Sequence, residues 1–320
     1  MSRYILRRLV FLLVTILLTS LLVFLVTQWL PGDVCRIILG REAGQGAIET
    51  CRQDLGLNQS LPVQYLTWLG NFLTGDWGVS FSTSLPIYPV VMDRLQNSLM
   101  LALVALVISI PLAVTLGVVA GLNEHKPIDA TINVGSLAVV GLPEFVTGLV
   151  LIQIFSFGLR ELGLPSLPAN SSIPPDANFL EALPMLILPA LTAMLVLLAY
   201  IARLTRAGVI EELKQPYVRT ADLKGLLRRT VTVKHVLRNA LLPTITVIAI
   251  SLGWLISGLV VIENVFNYPG LGRLMIFAID RRDLPLLQAV TMVTVLGFAL
   301  ANLGADLLYA VLNPRIRLGD

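Results

Sequence analysis

Charge is scarce in this chain of 320 residues: Asp, Glu, Lys and Arg make up 13% of it, hydrophobic residues make up 56%, and mean hydropathy is +0.81. Soluble domains carry about a quarter charged residues, so a water-soluble globular body is excluded. Histidine and cysteine are almost missing, with two of each. No H-E-x-x-H and no cluster of soft ligands is available for a metal centre. The chain also lacks G-x-S-x-G and paired membrane aspartates, which leaves no hydrolytic site. It has no G-x-x-x-x-G-K-[ST] phosphate loop, because Gly225 is followed by Leu-Leu-Arg-Arg, so ATP is not bound here by that route. If this chain moves something, the energy comes from elsewhere. No internal repeat is visible, so the inverted symmetry of many secondary transporters is not apparent. The formal net charge of +3 comes without an aromatic-interleaved basic face or a nucleic-acid motif, and nucleic acid is not an expected partner.

What is present in quantity is long apolar sequence. Stretches that can cross a hydrocarbon core, about 20 residues each, occur near 9–30, 98–122, 131–158, 183–202, 241–262 and 286–312. Six crossings put both termini on one side. With those termini cytoplasmic, fifteen Lys or Arg fall inside and eight outside, and the positive-inside rule selects that orientation. The first run has a basic start like a secretory signal, but its length and the missing small-residue cleavage site argue for a retained helix. The reading is an all-α integral membrane protein of six transmembrane helices. Residues 1–94 hold the first helix and a small external segment, 95–312 the main transmembrane domain, and 313–320 a cytoplasmic tail.

The external segment 31–94 has turn signals at Pro31-Gly32, Asn58 to Pro62 and Thr74-Gly-Asp-Trp-Gly78. With Trp68 and Trp77, it reads as a small folded cap at the interface. Cys35 and Cys51 both fall in it, on a side where disulfides persist. No other cysteine competes for either thiol, which favours a bridge over two unrelated buried thiols. The proline-rich 159–182 loop reads as irregular outside structure.

Three acids lie in or beside the apolar runs, and intramembrane carboxylates raise a functional hypothesis, such as a proton relay or solute contact. Glu263, near the outer end of the fifth run, is expected to reach the interface or bond backbone in the Asn264–Tyr268 turn. Asp306 is placed to pair with Arg315 or Arg203. Glu144 follows Pro143, which breaks the third helix's hydrogen-bond ladder; it either faces a central cavity or plays a structural part.

The most informative stretch is polar. Between residues 203 and 238 nine Lys or Arg stand against three acids, with Tyr217-Val-Arg-Thr-Ala-Asp-Leu-Lys-Gly225 at the centre. Pro216 suits a first helical turn, Tyr217 to Lys224 complete about two turns, and Gly225 is a natural left-handed stop. Such a helix would present Tyr217 and Ala221 downward to a partner, with Ala221 and Gly225 small enough for close approach. The alternative is an amphipathic helix resting on anionic lipid through Arg219, Lys224, Arg228 and Arg229. A return helix is expected to end at Pro243.

Those residues, followed by His235-Val-Leu-Arg-Asn-Ala-Leu-Leu-Pro243, resemble the cytoplasmic EAA-type loop of permease subunits in the dipeptide, oligopeptide and nickel branch of ABC importers. Further matches are Tyr4-Ile-Leu-Arg-Arg8, Leu30-Pro-Gly-Asp33, Gly75-Asp-Trp-Gly-Val-Ser80, Glu263-Asn-Val-Phe266, Tyr268-Pro-Gly-Leu-Gly-Arg273, Arg282-Asp283 and Asn313-Pro-Arg-Ile-Arg317. Arg219-Thr-Ala221 stands where the general form has Glu-Ala-Ala, as is common in this branch. The resemblance implies a type I ABC importer permease fold. It also implies a second permease subunit, two ATPase subunits that hold ATP and Mg, and an external solute-binding protein, with no cofactor and no catalytic chemistry in this chain. The loop would be the coupling helix, with Tyr217, Arg219, Thr220, Ala221 and Gly225 as ATPase contacts and Lys224 at the rim. Cargo would be peptide, with nickel chelates or another small solute as the alternative. A secondary transporter using Glu144, Glu263 or Asp306 with an ion gradient is the rival from another class. Neither Glu144 nor the cysteine pair belongs to the shared pattern.

Overall fold

Helices carry the fold because, inside hydrocarbon, a spanning segment must satisfy its own backbone hydrogen bonds. The structure, a computed structural model, describes residues 2–29, 34–40, 42–54, 56–174 and 178–312. Among the described residues there is no strand, only an isolated bridge between Val79 and Pro86. The chain opens with α1 (Ser2–Trp29) and then three short helices, α2 (Val34–Leu39), α3 (Gln45–Asp54) and α4 (Leu61–Thr74). Next come α5 (Ile87–Leu122), α6 (Pro127–Gly141) and α7 (Glu144–Ile152), the last running through a π-helical turn into α8 (Leu159–Glu161). α9 (Phe179–Leu213) leads to the short α10 (Pro216–Leu223) and α11 (Arg228–Thr230). A second π-helical turn at Val231–Val236 opens α12 (Leu237–Gly258), which is followed by α13 (Val260–Val265), α14 (Leu271–Asp280) and α15 (Leu284–Leu312).

Among the described residues, five helical stretches are long and apolar enough to cross a membrane: Ile5–Trp29, Ile87–Leu122, Leu180–Leu213, Arg228–Leu255 and Leu284–Leu307. The sixth expected crossing is a bent pair, Pro127–Gly141 with Glu144–Glu161, turned by 104°. The cause lies in the sequence. Pro143 has no N–H to donate, and it forces Leu142 before it into extended backbone at φ −92° and ψ 135°.

Several helices outrun the apolar runs. α9 starts early because Asn178 and Glu181 form a capping box, each side chain accepting from the other's backbone N–H at 3.1 Å. It then continues past the apolar stretch into the basic loop. The return helix does not end at Pro243 as expected. α12 passes through that proline to Gly258, as transmembrane helices tolerate when neighbours support the backbone.

The core is α5 against α9. Leu101, Ala102, Ala105 and Ala113 meet Leu186, Ala190, Ala193, Leu197 and Ile201, all buried. Alanines at the seam let the two backbones approach. At Gly117 even a methyl group would collide with Thr205 and the Ala202 carbonyl. Outward-facing leucines and phenylalanines such as Leu6, Phe11, Leu17 and Leu22 on α1 are exposed, as a lipid-facing surface requires.

α1 is tied to α15 twice. Gln288 Nε2 donates to Thr27 Oγ1 at 2.6 Å, and Arg8 lies 2.8 Å from Asp306. Asp306 thus has Arg8 as its partner and not the expected Arg203; Arg315 and the 313–320 tail lie outside the described residues. The segment after α1 is a folded cap. Phe24, Tyr65, Trp68, Phe72, Trp77 and Tyr88 form a continuous run of ring contacts, and Trp77 stacks on Phe72 with centroids 4.9 Å apart. Cys35 and Cys51 are joined by a disulfide with their Cα atoms 5.9 Å apart, which links α2 to α3. Pro31-Gly32 lies outside the described residues.

Candidate functional site

The basic loop folds as a braced helix between α9 and α12. Pro216 occupies the first turn of α10, where its missing N–H costs nothing. At the other end the Leu226 N–H donates to the Ala221 carbonyl at 3.3 Å and the Gly225 N–H to the Asp222 carbonyl at 2.9 Å. That pair of bonds is a Schellman motif, and it needs the left-handed φ of 72° that Gly225 adopts.

The helix is rooted in the protein by the residues expected to face a partner. Ala221 is 8% exposed and packs with Val218 against Val209, Val231, Val236 and Ala240. Tyr217 packs at the edge of the same cluster, and its hydroxyl donates to Glu212 Oε2 at 2.5 Å. Burial first, and the neighbouring Glu212 carboxylate second, raise the Tyr217 phenol above its ordinary pKa, so it remains a donor. The expectation that Tyr217 and Ala221 point outward is therefore corrected: the 3.6-residue period turns them onto the inner face.

The outer face is built by others. Arg219, Thr220, Asp222, Lys224 and Gly225 are exposed, and two leucines stand out, Leu223 at 80% and Leu227 at 78% exposure. Leu226 and Val233 are also exposed. Arg219, Lys224, Arg228 and Arg229 are exposed beside them in the chain, so the segment carries apolar and basic side chains together. Sequence reading by motif passed over Leu223 and Leu227. For Leu223 the signal was its place opposite Ala221 at the 3.6-residue period; Leu227 lies beyond the end of α10 and has no such signal.

A second feature at this end was also missed. Asp129, in the first turn of α6, is buried and takes a bidentate contact from Arg206 of α9, with Nε at 2.5 Å from Oδ1 and Nη2 at 2.7 Å from Oδ2. The His125 backbone N–H adds a third bond to Asp129 at 3.1 Å, and Lys214 reaches Glu124 at 3.2 Å.

At the opposite end of the bundle the sequence motifs converge. Glu263 is 1% exposed, and the expected reach to the interface or to the Asn264–Tyr268 turn is not what occurs. Its carboxylate turns back onto the next helix. Oε2 accepts from the backbone N–H groups of Gly272 and Arg273 at 2.7 and 3.1 Å, and Oε1 accepts from Ser98 Oγ at 2.5 Å. Ser98 Oγ in turn accepts from the Leu271 N–H at 2.8 Å. A carboxyl group at the first turn of α14 satisfies donors that a helix start leaves orphaned. Tyr268 donates to the Asn97 carbonyl at 2.7 Å, and Asn97 donates to the Pro269 carbonyl at 3.0 Å. Asp283 is fully buried and accepts from Ser80 Oγ at 2.6 Å, Ser82 Oγ at 2.8 Å and the Ser82 N–H at 3.0 Å.

Glu144 begins α7 at the bend and is partly buried, one turn before the buried Thr147 and Gly148. The three sequence-stretch acids are thus dispersed: Glu144 at the bend, Glu263 in a helix cap, Asp306 in an ion pair with α1. Among the described residues no group of three or more His, Cys, Asp or Glu side chains forms a metal-binding cluster.

Comparison with known proteins covers nearly the whole chain. Residues 113–318 match the family model described as binding-protein-dependent transport system inner membrane component, and residues 1–102 match the model for the N-terminal part of such membrane components. The glutathione transport system permease protein GsiC of Escherichia coli (strain K12) is 37% identical over 318 residues, covering 99% of both chains. GsiC of Pectobacterium atrosepticum is 39% identical over 321 residues, again covering 99% of each. Among solved structures, the crystal structure of an amino acid ABC transporter with histidines aligns with a TM-score of 0.50 at 16% identity, over 71% of this chain and 94% of that one. That likeness bears on the fold alone. Five helices long and apolar enough to span a membrane with a sixth, bent pair, the braced basic loop and full-length similarity lead to one assignment: the chain belongs to the binding-protein-dependent transport system inner membrane components, as a non-catalytic, multi-pass permease subunit of an ABC importer.

Proposed function

We propose that this chain forms half of a translocation pathway for di- or oligopeptides, with its termini and α10 in the cytoplasm. A second permease subunit completes the pathway. An external solute-binding protein delivers cargo to the face that carries the Cys35–Cys51 cap. Two ATPase subunits, which hold ATP and Mg, dock on the α10 side. In this reading 1–94 is the first helix with its external segment, 95–312 the permease domain and 313–320 a cytoplasmic tail.

The observation that carries the docking role is the division of α10 into two faces. Val218 and Ala221 are sunk in the protein, while Leu223 on α10 and Leu227 in the turn after it stand in solvent beside exposed basic residues. A buried root makes the helix move with α9 and α12 rather than flex by itself. An exposed apolar centre with a charged rim is the anatomy of a docking surface. Arg219, Thr220, Lys224 and Gly225 join Leu223 and Leu227 as contacts. Tyr217 and Ala221 act from behind, holding the helix in place. Closure of the ATPases then pushes α10 as a lever, and the helices joined to it alternate the pathway between outward and inward access.

Similarity to glutathione permeases supports a peptide-like cargo, since glutathione is itself a short peptide carrying carboxylates and an amine. Reconstitution of the chain with its partner subunits and binding protein tests the whole reading. ATP-dependent uptake of labelled dipeptide, oligopeptide or glutathione is expected, and a nickel chelate serves as the competing cargo. Uptake by this chain alone, driven by an ion gradient, would overturn the assignment in favour of a secondary transporter using Glu144.

A further inference from the structure

We infer that Asp129 and Arg206 are positioning residues that pass the movement of the coupling helix to the bend between α6 and α7. The inference rests on the docking role proposed above for α10, and it begins with how α6 is held. Of the residues in that helix only Asp129 and Ser136 are buried. The helix lies along α9 and α5, but its apolar residues Ile132, Val139 and Val140 are only partly buried. The contact that pins its first turn is the two-pronged bond from Arg206, at 2.5 and 2.7 Å. A guanidinium meeting a carboxylate side-on fixes both distance and orientation, because both groups are planar.

The pair also stands at a mechanically useful place. Arg206 lies two turns before α9 ends at Leu213, and from there the chain enters α10 directly. Glu124, in the turn between α5 and α6, is bonded to Lys214 at 3.2 Å, and the His125 N–H closes back onto Asp129. The turn therefore travels with α9. Displacement of α10 moves the end of α9, and the ion pair carries it into the start of α6. The far end of α6 is the break at Leu142–Pro143, where the chain turns by 104°. α6 is then a rod pinned at one end to the lever and hinged at the other. Beyond the hinge α7 packs on α9 and on Val265 and Phe266 of the far-end cluster.

A residue that only stabilised the fold would lower assembly and all activities together. A transmitting pair is read instead from the ratio of cargo-stimulated to basal ATP hydrolysis in the reconstituted complex. Asp129→Asn and Arg206→Gln, compared at equal assembly, are expected to keep basal hydrolysis and to lower the stimulated rate and the cargo moved per ATP by about tenfold, within the range of coupling between sites. Unchanged stimulation in either variant overturns the inference. A second measurement avoids disturbing the pair: spin labels at the exposed positions His125 and Glu211 report their separation with and without ATP. The separation is expected to stay constant through the cycle, and a change in it overturns the inference. A wild-type complex with no cargo-stimulated hydrolysis would instead overturn the docking role on which the inference rests.

Discussion

Ser80 and Asp283 lie 203 positions apart in the chain and meet through a 2.6 Å hydrogen bond at the start of α15. Asp283 also accepts from the Leu286 N–H at 3.3 Å, so one buried carboxylate both caps a helix and holds the loop that leads from the cap into α5. Replacing Asp283 by Ala removes the acceptor of these bonds and leaves the buried Ser80 hydroxyl and Leu286 N–H without it. A loss of about 2–4 kcal/mol is expected, judged from the worth of charge-assisted bonds. The measurement is thermal unfolding in detergent. Ser82→Ala, which removes one of several donors, should cost about 1 kcal/mol.

Gly270 faces the Glu263 carboxylate so closely that a β-carbon there would overlap it. Gly270→Ala should therefore displace Glu263 from the N–H groups of Gly272 and Arg273, and destabilise the protein by about 1–3 kcal/mol, as overpacking does. Glu263→Gln is expected to be milder, because the amide oxygen can still accept from one side. If Gly270→Ala unfolds at the wild-type temperature, the cap at α14 is not what holds this end.

Leu223→Asp and Leu227→Asp are expected to abolish co-purification with the ATPase subunits while leaving the melting temperature of the isolated chain unchanged. Both side chains stand in solvent, and surface changes of this kind usually alter stability within about 0.5 kcal/mol. Ala221→Arg behaves differently. It forces a charge into the cluster of Val209, Val218 and Val236, and is expected to lower stability as well as docking. Equal effects of all three on stability would refute the two-faced description of α10.

The Cys35–Cys51 bridge closes a loop with a sequence separation of 16, for which the chain-entropy model gives about 3 kcal/mol. Reduction should expose the region between α2 and α4 to protease without releasing α1 from α15. Alkylation of unfolded protein tests the bridge directly: two thiols that react without prior reduction would exclude it.

How much was legible in the sequence differs from element to element. The spanning segments could be read because a hydrocarbon core demands about 20 apolar residues, a requirement that leaves its mark in one dimension. Pro143 announced the bend, and Pro216 and Gly225 announced the ends of α10, because each acts on its own backbone. The helix through Pro243 could not be read in the same way. Whether a proline ends a helix depends on what packs around the freed carbonyl, and that is tertiary.

Side-chain partners were the least legible. Glu263 and Asp306 stood out in the sequence as acids beside apolar runs, but Ser98 and Arg8, which partner them, lie far away in sequence. Asp129 and Arg206 are 77 residues apart, each just outside an apolar run on the same side of the membrane. That shared level was the one clue, and it named no pair.

By itself the amino-acid sequence determined that this protein lives in a membrane, which stretches are apolar enough to span it and where one helix must bend. All of these follow from local backbone chemistry and from the cost of placing polar groups in hydrocarbon. Only the tertiary structure decided which face of α10 is free and which acids are consumed in caps and ion pairs, because burial belongs to neighbours that the chain brings together only by folding.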